Sequence, residues 1–486
     1  MPVADAHAPP ATPNLVERLR EHARRQPDRL ALQDAQHHVR YGDLPDRIDA
    51  LAERLTRSGA RRIASRLDNG VPAVLLDFAC RRAGLVHLPM PGFFTAAQTA
   101  HALADAGIDT LADAATDAPD GIALSRRALD QAPSLPTGTA LITYTSGSTG
   151  LPKGVCLSAA HLDTVAASIV EAVAGHTPQR HLAVLPLAVL LESVAGVQAA
   201  LTAGSEVLLQ PLATLGWSGA GGLDPLRFAA AIEQAAPESL ILVPELLKGW
   251  IQALMQGARA PASLRFCAIG GAHVPPAILD AAARHGLPVY EGYGLSECAS
   301  VVCLNRPGHA VPGQVGTPLK HLQLSLSPTG EVLVHGPRFL GYVGHPAPPD
   351  GPLATGDLGE IGADGALRLS GRLGNRYITA YGRNVSPEWS EALLAAHPAI
   401  AQAYVHGEAL AQAVALLVPR DPALPDAALT AAIEAINAQL PEYARIAAFR
   451  RVPPFRAEDG TLTANGRLRR REIRARHAEA LADLSA

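Results

Sequence analysis

Four hydroxyls, three glycines and a lysine fill the ten positions Thr145-Ser146-Gly147-Ser148-Thr149-Gly150-Leu151-Pro152-Lys153-Gly154. Glycines let a backbone bend so that successive amides face an anion. The hydroxyls add donors, and the lysine adds a mobile point charge. Phosphate is the ligand that suits this combination. The loop is not a Walker P-loop: Pro152 precedes the lysine where that motif needs glycine, and Gly154 follows where it needs Ser or Thr. Lysine occurs elsewhere only at Lys248 and Lys320, so background drift would have placed arginine at position 153.

This loop resembles the phosphate loop of the adenylate-forming superfamily: acyl- and aryl-CoA synthetases, peptide-synthetase adenylation domains and firefly-type luciferases. The resemblance continues in order from about Ala31 to Arg470 and is closest in texture to acyl-CoA synthetases. It implies that Gly270-Gly271-Ala272 forms an adenine-side turn. Within Tyr290-Glu291-Gly292-Tyr293-Gly294-Leu295-Ser296-Glu297 it implies that Tyr293 stacks on adenine, Ser296 meets the α-phosphate and Glu297 holds Mg²⁺. Mg²⁺ is a hard ion that commonly takes one carboxylate plus phosphate oxygens. Asp357 and Arg372 match the ribose-side residues, and Gly382 lies in a strand-turn resembling the lining of a thiol tunnel.

Three departures stand out. Gly374 occupies the hinge position where the family usually has Asp or Lys, and Arg467 falls where the family has its C-terminal catalytic lysine. Arg keeps the charge but presents a planar fork. The segment Pro186 to Glu192 replaces one that often carries a histidine or aromatic near the acyl pocket, and His181 just before it reads as structural. The expected catalytic residues are therefore Lys153, Glu297 and Arg467.

The elements that must position these residues are legible in outline. Helical spacing marks Leu15 to Arg25 after a cap at Asn14, Asp46 to Ser58, Ala73 to Ala83 and a helix from about Ala96. Short apolar runs at Val86 to Leu88, Ala140 to Tyr144, Leu182 to Leu185, Glu206 to Leu209, Leu240 to Val243 and Leu264 to Ile269 alternate with helix and turn signals. This alternation favours a layered α/β fold with parallel strands. From Gly313 short strands between Gly and Pro turns read as antiparallel and barrel-like. After Gly371 the pattern returns to mixed α and β. The expectation is a large N-terminal domain of layered sheets plus a distorted β-barrel, residues 1–372, and a small mobile α+β C-terminal domain, residues 373–486.

Composition narrows the function classes. With 48% hydrophobic and 18% charged residues, the chain of 486 reads as a well-packed soluble enzyme. A formal net charge of −4 implies no polyanion or membrane partner, and Arg469-Arg470-Arg471 reads as a solvated helix face. The five scattered cysteines argue against a disulfide framework and for a reducing cytoplasm. No apolar run reaches the ~20 residues of a membrane span, and Met1 to Pro13 lacks the pattern of a signal peptide.

The implied activity is ATP- and Mg²⁺-dependent activation of a small carboxylic acid as acyl-AMP, followed by transfer to CoA or to the phosphopantetheine of an acyl carrier protein. The alternatives are an adenylating ligase with an amide or β-lactone outcome and a catalytically weakened nucleotide-binding homologue. No Asp stands out as a partner for an α-amino group, so a fatty or an aromatic acid is expected rather than an amino acid.

Overall fold

The computed structural model describes residues 14–128, 133–145, 153–218, 222–272, 274, 276–380, 384–463 and 466–485. Helix Leu15–Arg25 begins where Asn14 Oδ1 accepts the Glu17 amide at 2.9 Å, satisfying one orphan donor of the first turn. Helix Ala96–Asp105 opens with a reciprocal capping box between Thr95 and Gln98.

Among the described residues two large sheets carry the fold. One has nine strands, in the order Thr317–Pro318, Cys303–Leu304, Val289–Tyr293, Phe266–Ile269, Ser239–Leu242, Arg180–Ala183, Glu206–Leu209, Leu30–Gln33 and His38–Arg40. Its centre is parallel and its edges are antiparallel. The other has seven, in the order Gly341–Tyr342, Lys153–Leu157, Leu141–Thr145, Val86–Pro89, Arg62–Arg66, Thr110–Ala114 and Ile122–Arg126.

Helices Leu44–Arg57 and Val71–Arg82 share one core cluster with strands of both sheets, so they form a layer between them. Helix Ala159–Ala172 and the segment 190–202 do the same further along. The helices at 225–235, 244–255 and 276–284 cover the other face of the larger sheet. Parallel strands buried on both faces explain why these runs read as continuously apolar.

The barrel-like stretch folds as a four-stranded antiparallel sheet, Gln323–Leu326, Glu331–His335, Leu353–Ile361 and Leu367–Arg372, on its own small core. Beyond it, strands Ile400–His406, Ala413–Pro419 and Ile446–Arg451 form a three-stranded sheet packed with helices. The clusters that hold this last unit contain no residue before Tyr377.

The Arg469 to Arg471 run is not a uniformly solvated face. Arg470 lies over the Tyr404 ring at 5.4 Å and pairs with Glu391, whose pKa burial pushes up to about 7 against the opposing Arg470 charge. Helix Arg470–Arg476 docks against the three-stranded sheet, which turns this one arginine inward. The five cysteines are all buried and unpaired. No described helix is long and apolar enough to cross a membrane.

Candidate active site

Strand Leu141–Thr145 pairs antiparallel with Lys153–Leu157, so that Thr145 faces Lys153 across the ladder. The expected phosphate-binding residues Ser146, Gly147, Ser148, Thr149 and Gly150 lie between them, outside the described residues. Gly382 also lies outside them. The ladder fixes where the loop leaves the sheet and where Lys153 re-enters it. On the far side of Lys153–Leu157, the strand Gly341–Tyr342 pairs with Val155 and Cys156. That pairing sets the Lys153 ammonium over the Tyr342 ring, 5.6 Å from its centroid. Lys248 and Lys320 sit in surface ion pairs with Glu245 and Glu171. Lys153 has no carboxylate partner within 4.0 Å among the described residues and faces the cleft.

The Tyr342 hydroxyl donates to Glu297 Oε1 at 2.8 Å. The neighbouring Phe339 amide donates to the Glu297 carbonyl at 2.7 Å and fixes the backbone. Glu297 Oε2 keeps no protein partner among the described residues. A carboxylate oriented through one oxygen with the other turned free is a donor set that fits a hard divalent cation. Tyr342 is the residue that motif spacing missed. It lies 45 positions from Glu297, and only the strand pairing brings it there.

Strand Val289–Tyr293 runs parallel to Phe266–Ile269, which ends in the turn Gly270-Gly271-Ala272. Glu291 points into the cleft with Oε2 accepting the Gly313 amide at 3.1 Å, and burial pushes its pKa up to about 7. Tyr293 is buried, and its hydroxyl donates to Asp357 Oδ2 at 2.7 Å. Arg372 Nε donates to Asp357 Oδ1 at 2.6 Å, in register across the antiparallel pair. Asp357 is thus a shared acceptor between an aromatic hydroxyl and a guanidinium, with lone pairs left for further donors.

The last contact comes from the C-terminal unit. Arg467 Nη2 donates to the Gly271 carbonyl at 2.5 Å. Arg467 is exposed as a residue; loss of water around its guanidinium and then the Arg372 charge lower its pKa, with Asp357 opposing.

One continuous cleft is lined by Thr145, Lys153, Gly271, Ala272, Glu291, Gly292, Tyr293, Gly294, Ser296, Glu297, Tyr342, Asp357, Arg372 and Arg467. All the described site residues expected from the sequence converge on it. Cations at Lys153, Arg372 and Arg467 face carboxylates at Glu297 and Asp357, an arrangement suited to a polyphosphate with its counter-ion. His181, by contrast, is bonded at both nitrogens, to Ser239 Oγ at 3.0 Å and Glu192 Oε1 at 2.9 Å.

A Ser65–His87–Asp77 chain, with bonds of 2.9 Å each, has the connectivity of a hydrolase triad. The cavity it borders is only about 30 Å³, roughly the volume of a single water. Arg81 also neutralises Asp77 at 3.0 Å. The chain cross-links two strands and a helix and has no room for an acyl group.

Known proteins share this organisation. The family model for AMP-binding enzymes matches residues 19–343, and that for the AMP-binding enzyme C-terminal domain matches residues 375–485. The chain is 28% identical over 443 residues to an indoleacetate–CoA ligase of Aromatoleum aromaticum, spanning 81% of this chain and 85% of that protein. It is 27% identical over 423 residues to a feruloyl-CoA synthase of an Amycolatopsis species, spanning 79% and 84%. The fold superposes on o-succinylbenzoate–CoA synthetase of Bacillus subtilis, solved with ATP and magnesium ion, with a TM-score of 0.76 at 22% identity, covering 94% of this chain and 99% of that one.

Proposed function

Because the chain belongs to the family of AMP-binding enzymes, we propose that it is an ATP-dependent acid–thiol ligase, activating a fatty or aromatic acid as acyl-AMP and passing it to CoA or to carrier-protein phosphopantetheine. The observation that carries the reading is the Arg467 contact with Gly271, which joins the C-terminal unit to the cleft of Lys153, Glu297 and Asp357.

In this reading Lys153 and the loop before it hold the phosphates, and Asp357 with Arg372 accepts and orients the ribose. Gly271 and Ala272, with Glu291 to Gly294, form the base side, and Ser296 meets the α-phosphate. Magnesium, when bound, neutralises phosphate charge, and Glu297 is the residue that would hold it. Arg467 adds a cation where the acid joins the nucleotide. Preorganised charge of this kind typically contributes about 10²–10³ in rate per group. Its position at the cleft counts against the catalytically weakened alternative.

The second half-reaction needs a different arrangement. The domain boundary falls at Arg372/Leu373, with Gly374 as pivot. A glycine has the widest backbone freedom of any residue, and no neighbour lies within 4 Å of where a Gly374 side chain would stand. Rotation of the C-terminal unit withdraws Arg467 and presents the Gly382 segment to the thiol, and such a motion can limit turnover.

The test is ATP–pyrophosphate exchange over fatty, benzoic and amino acids, followed by product analysis with CoA, a carrier protein or an amine. Acid-dependent exchange followed by thioester formation is expected. Exchange with no thioester would move the assignment to an amide- or lactone-forming ligase, and no exchange with any acid would sink it.

A further inference from the structure

Strand Leu367–Arg372 ends where the pivot segment begins, and the start of helix Pro387–Ala396, in the C-terminal unit, rests against it. Gly371 marks the contact. Its φ is 144°, in the region that favours glycine. A Cβ there would lie 1.7 Å from Ser386 Oγ and 3.2 Å from Glu388 Oε2. The atoms nearest that point all belong to Ser386 and Glu388, so it is the C-terminal unit that leaves no room for a side chain at 371.

Ser386 stands at the N-cap of the helix, where a serine hydroxyl ordinarily accepts a first-turn amide. Here the hydroxyl donates to Glu388 Oε2 at 2.6 Å instead. Glu388 Oε1 accepts the side-chain amide of Asn375 and lies 3.8 Å from Arg470 Nε. Asn375 closes the 3₁₀ turn Leu373–Asn375, which contains Gly374. One carboxylate thus sits against the strand before the pivot and holds the residue after it. Arg470 also pairs with Glu391 on the same helix and stands three residues beyond Arg467. The element resting on Gly371 is therefore tied to the segment that carries Arg467 to Gly271. Rotation about Gly374 would lift Ser386 and Glu388 off Gly371. A contact made in one orientation and lost in the other biases the equilibrium between them by its own free energy.

We propose that Glu388, docked with Ser386 on the bare backbone of Gly371, is a positioning residue that holds the C-terminal unit in the orientation in which Arg467 reaches the cleft. The inference rests on the reading of the cleft as an adenylating site served by a mobile C-terminal unit.

Separate assays of the two half-reactions test it. Glu388→Ala should lower the kcat of ATP–pyrophosphate exchange about tenfold, with the KM for ATP within about threefold of wild type. Thioester formation from synthetic acyl-AMP should stay within about threefold of wild type or rise. Glu388→Gln, which can still accept from Asn375 and pair with the Ser386 hydroxyl, should retain most of the exchange rate. Ser386→Ala is the milder change and should shift the half-reactions in the same direction should Glu388→Ala fold poorly. The native cysteines are buried, so dyes on cysteines placed at the exposed Met255 and Tyr443 report the orientation of the two units without catalysis. In ligand-free protein, Glu388→Ala should populate a second distance at the expense of the wild-type one. Unchanged exchange, equal losses in both half-reactions, or an unchanged distance distribution would overturn the proposal and leave the ligase reading standing. No exchange by the wild type with any acid would overturn that reading, and the distance measurement would still decide the role of Glu388.

Discussion

Tyr342 and Glu297 are joined by a 2.8 Å hydrogen bond from the phenol to the carboxylate, on the same ring that carries the Lys153 ammonium on its face. A single aromatic side chain therefore sets the spacing between the cation proposed to grip phosphate and the carboxylate proposed to hold magnesium. Tyr342→Phe keeps the ring and removes only the phenolic donor. Hydrogen bonds to charged groups contribute ~1.5–3 kcal/mol. The variant should lose about tenfold to a hundredfold in exchange rate and need more magnesium for half-maximal activity. A titration of exchange against magnesium checks this, and an unchanged curve would remove Tyr342 from the site.

Arg467 reaches Gly271 with one arm of its fork, leaving other donors for the reacting groups. Arg467→Ala should slow acyl-adenylate formation by roughly 10²–10³. It should leave the reaction of synthetic acyl-AMP with thiol within about threefold of wild type, far inside the effect of removing one preorganised donor. Arg467→Lys should recover most of the first step. Stopped assays of each half-reaction separate the two, and equal losses in both would mean that the residue only holds the fold.

Gly374 has open space around its missing side chain, so a substitution there acts on the backbone rather than by collision. Gly374→Pro should spare pyrophosphate exchange and block thioester formation, because proline fixes φ and stiffens the pivot. Were both half-reactions to fall together, rotation about this residue would not be how the enzyme changes step.

Glu291 provides a pH signature. Burial raises its pKa from 4.5 to about 7, with the Gly313 amide and then Arg368 opposing. The folded protein holds this proton where the unfolded chain has lost it. The associated stability is complete below about pH 4.5 and disappears as pH rises through about 7. Glu291→Gln has no proton to lose, so its melting temperature relative to wild type should improve between about pH 5 and about pH 8. Glu391 shifts the same way and remains in both proteins, so the difference isolates Glu291. A constant difference across that range would show that Glu291 titrates normally.

The sequence alone determined the element order, because periodicity and capping act over a few residues. Leu15–Arg25 after Asn14 and Glu206–Leu209 fold as their local patterns dictate. It also determined the chemical inventory of the cleft: a lone lysine, two carboxylates and two arginines stand at motif spacings that a linear reading can see. Only the tertiary structure decided which of them meet. Tyr342 joins Glu297, Arg467 crosses to Gly271, and Arg470 turns inward rather than outward, because strand pairing and helix docking between distant segments choose those partners. The turn at Ala299 and Ser300 belongs to the same class: both residues take positive φ where the chain closes against Gly294, a steric fact that no local pattern of residues encodes.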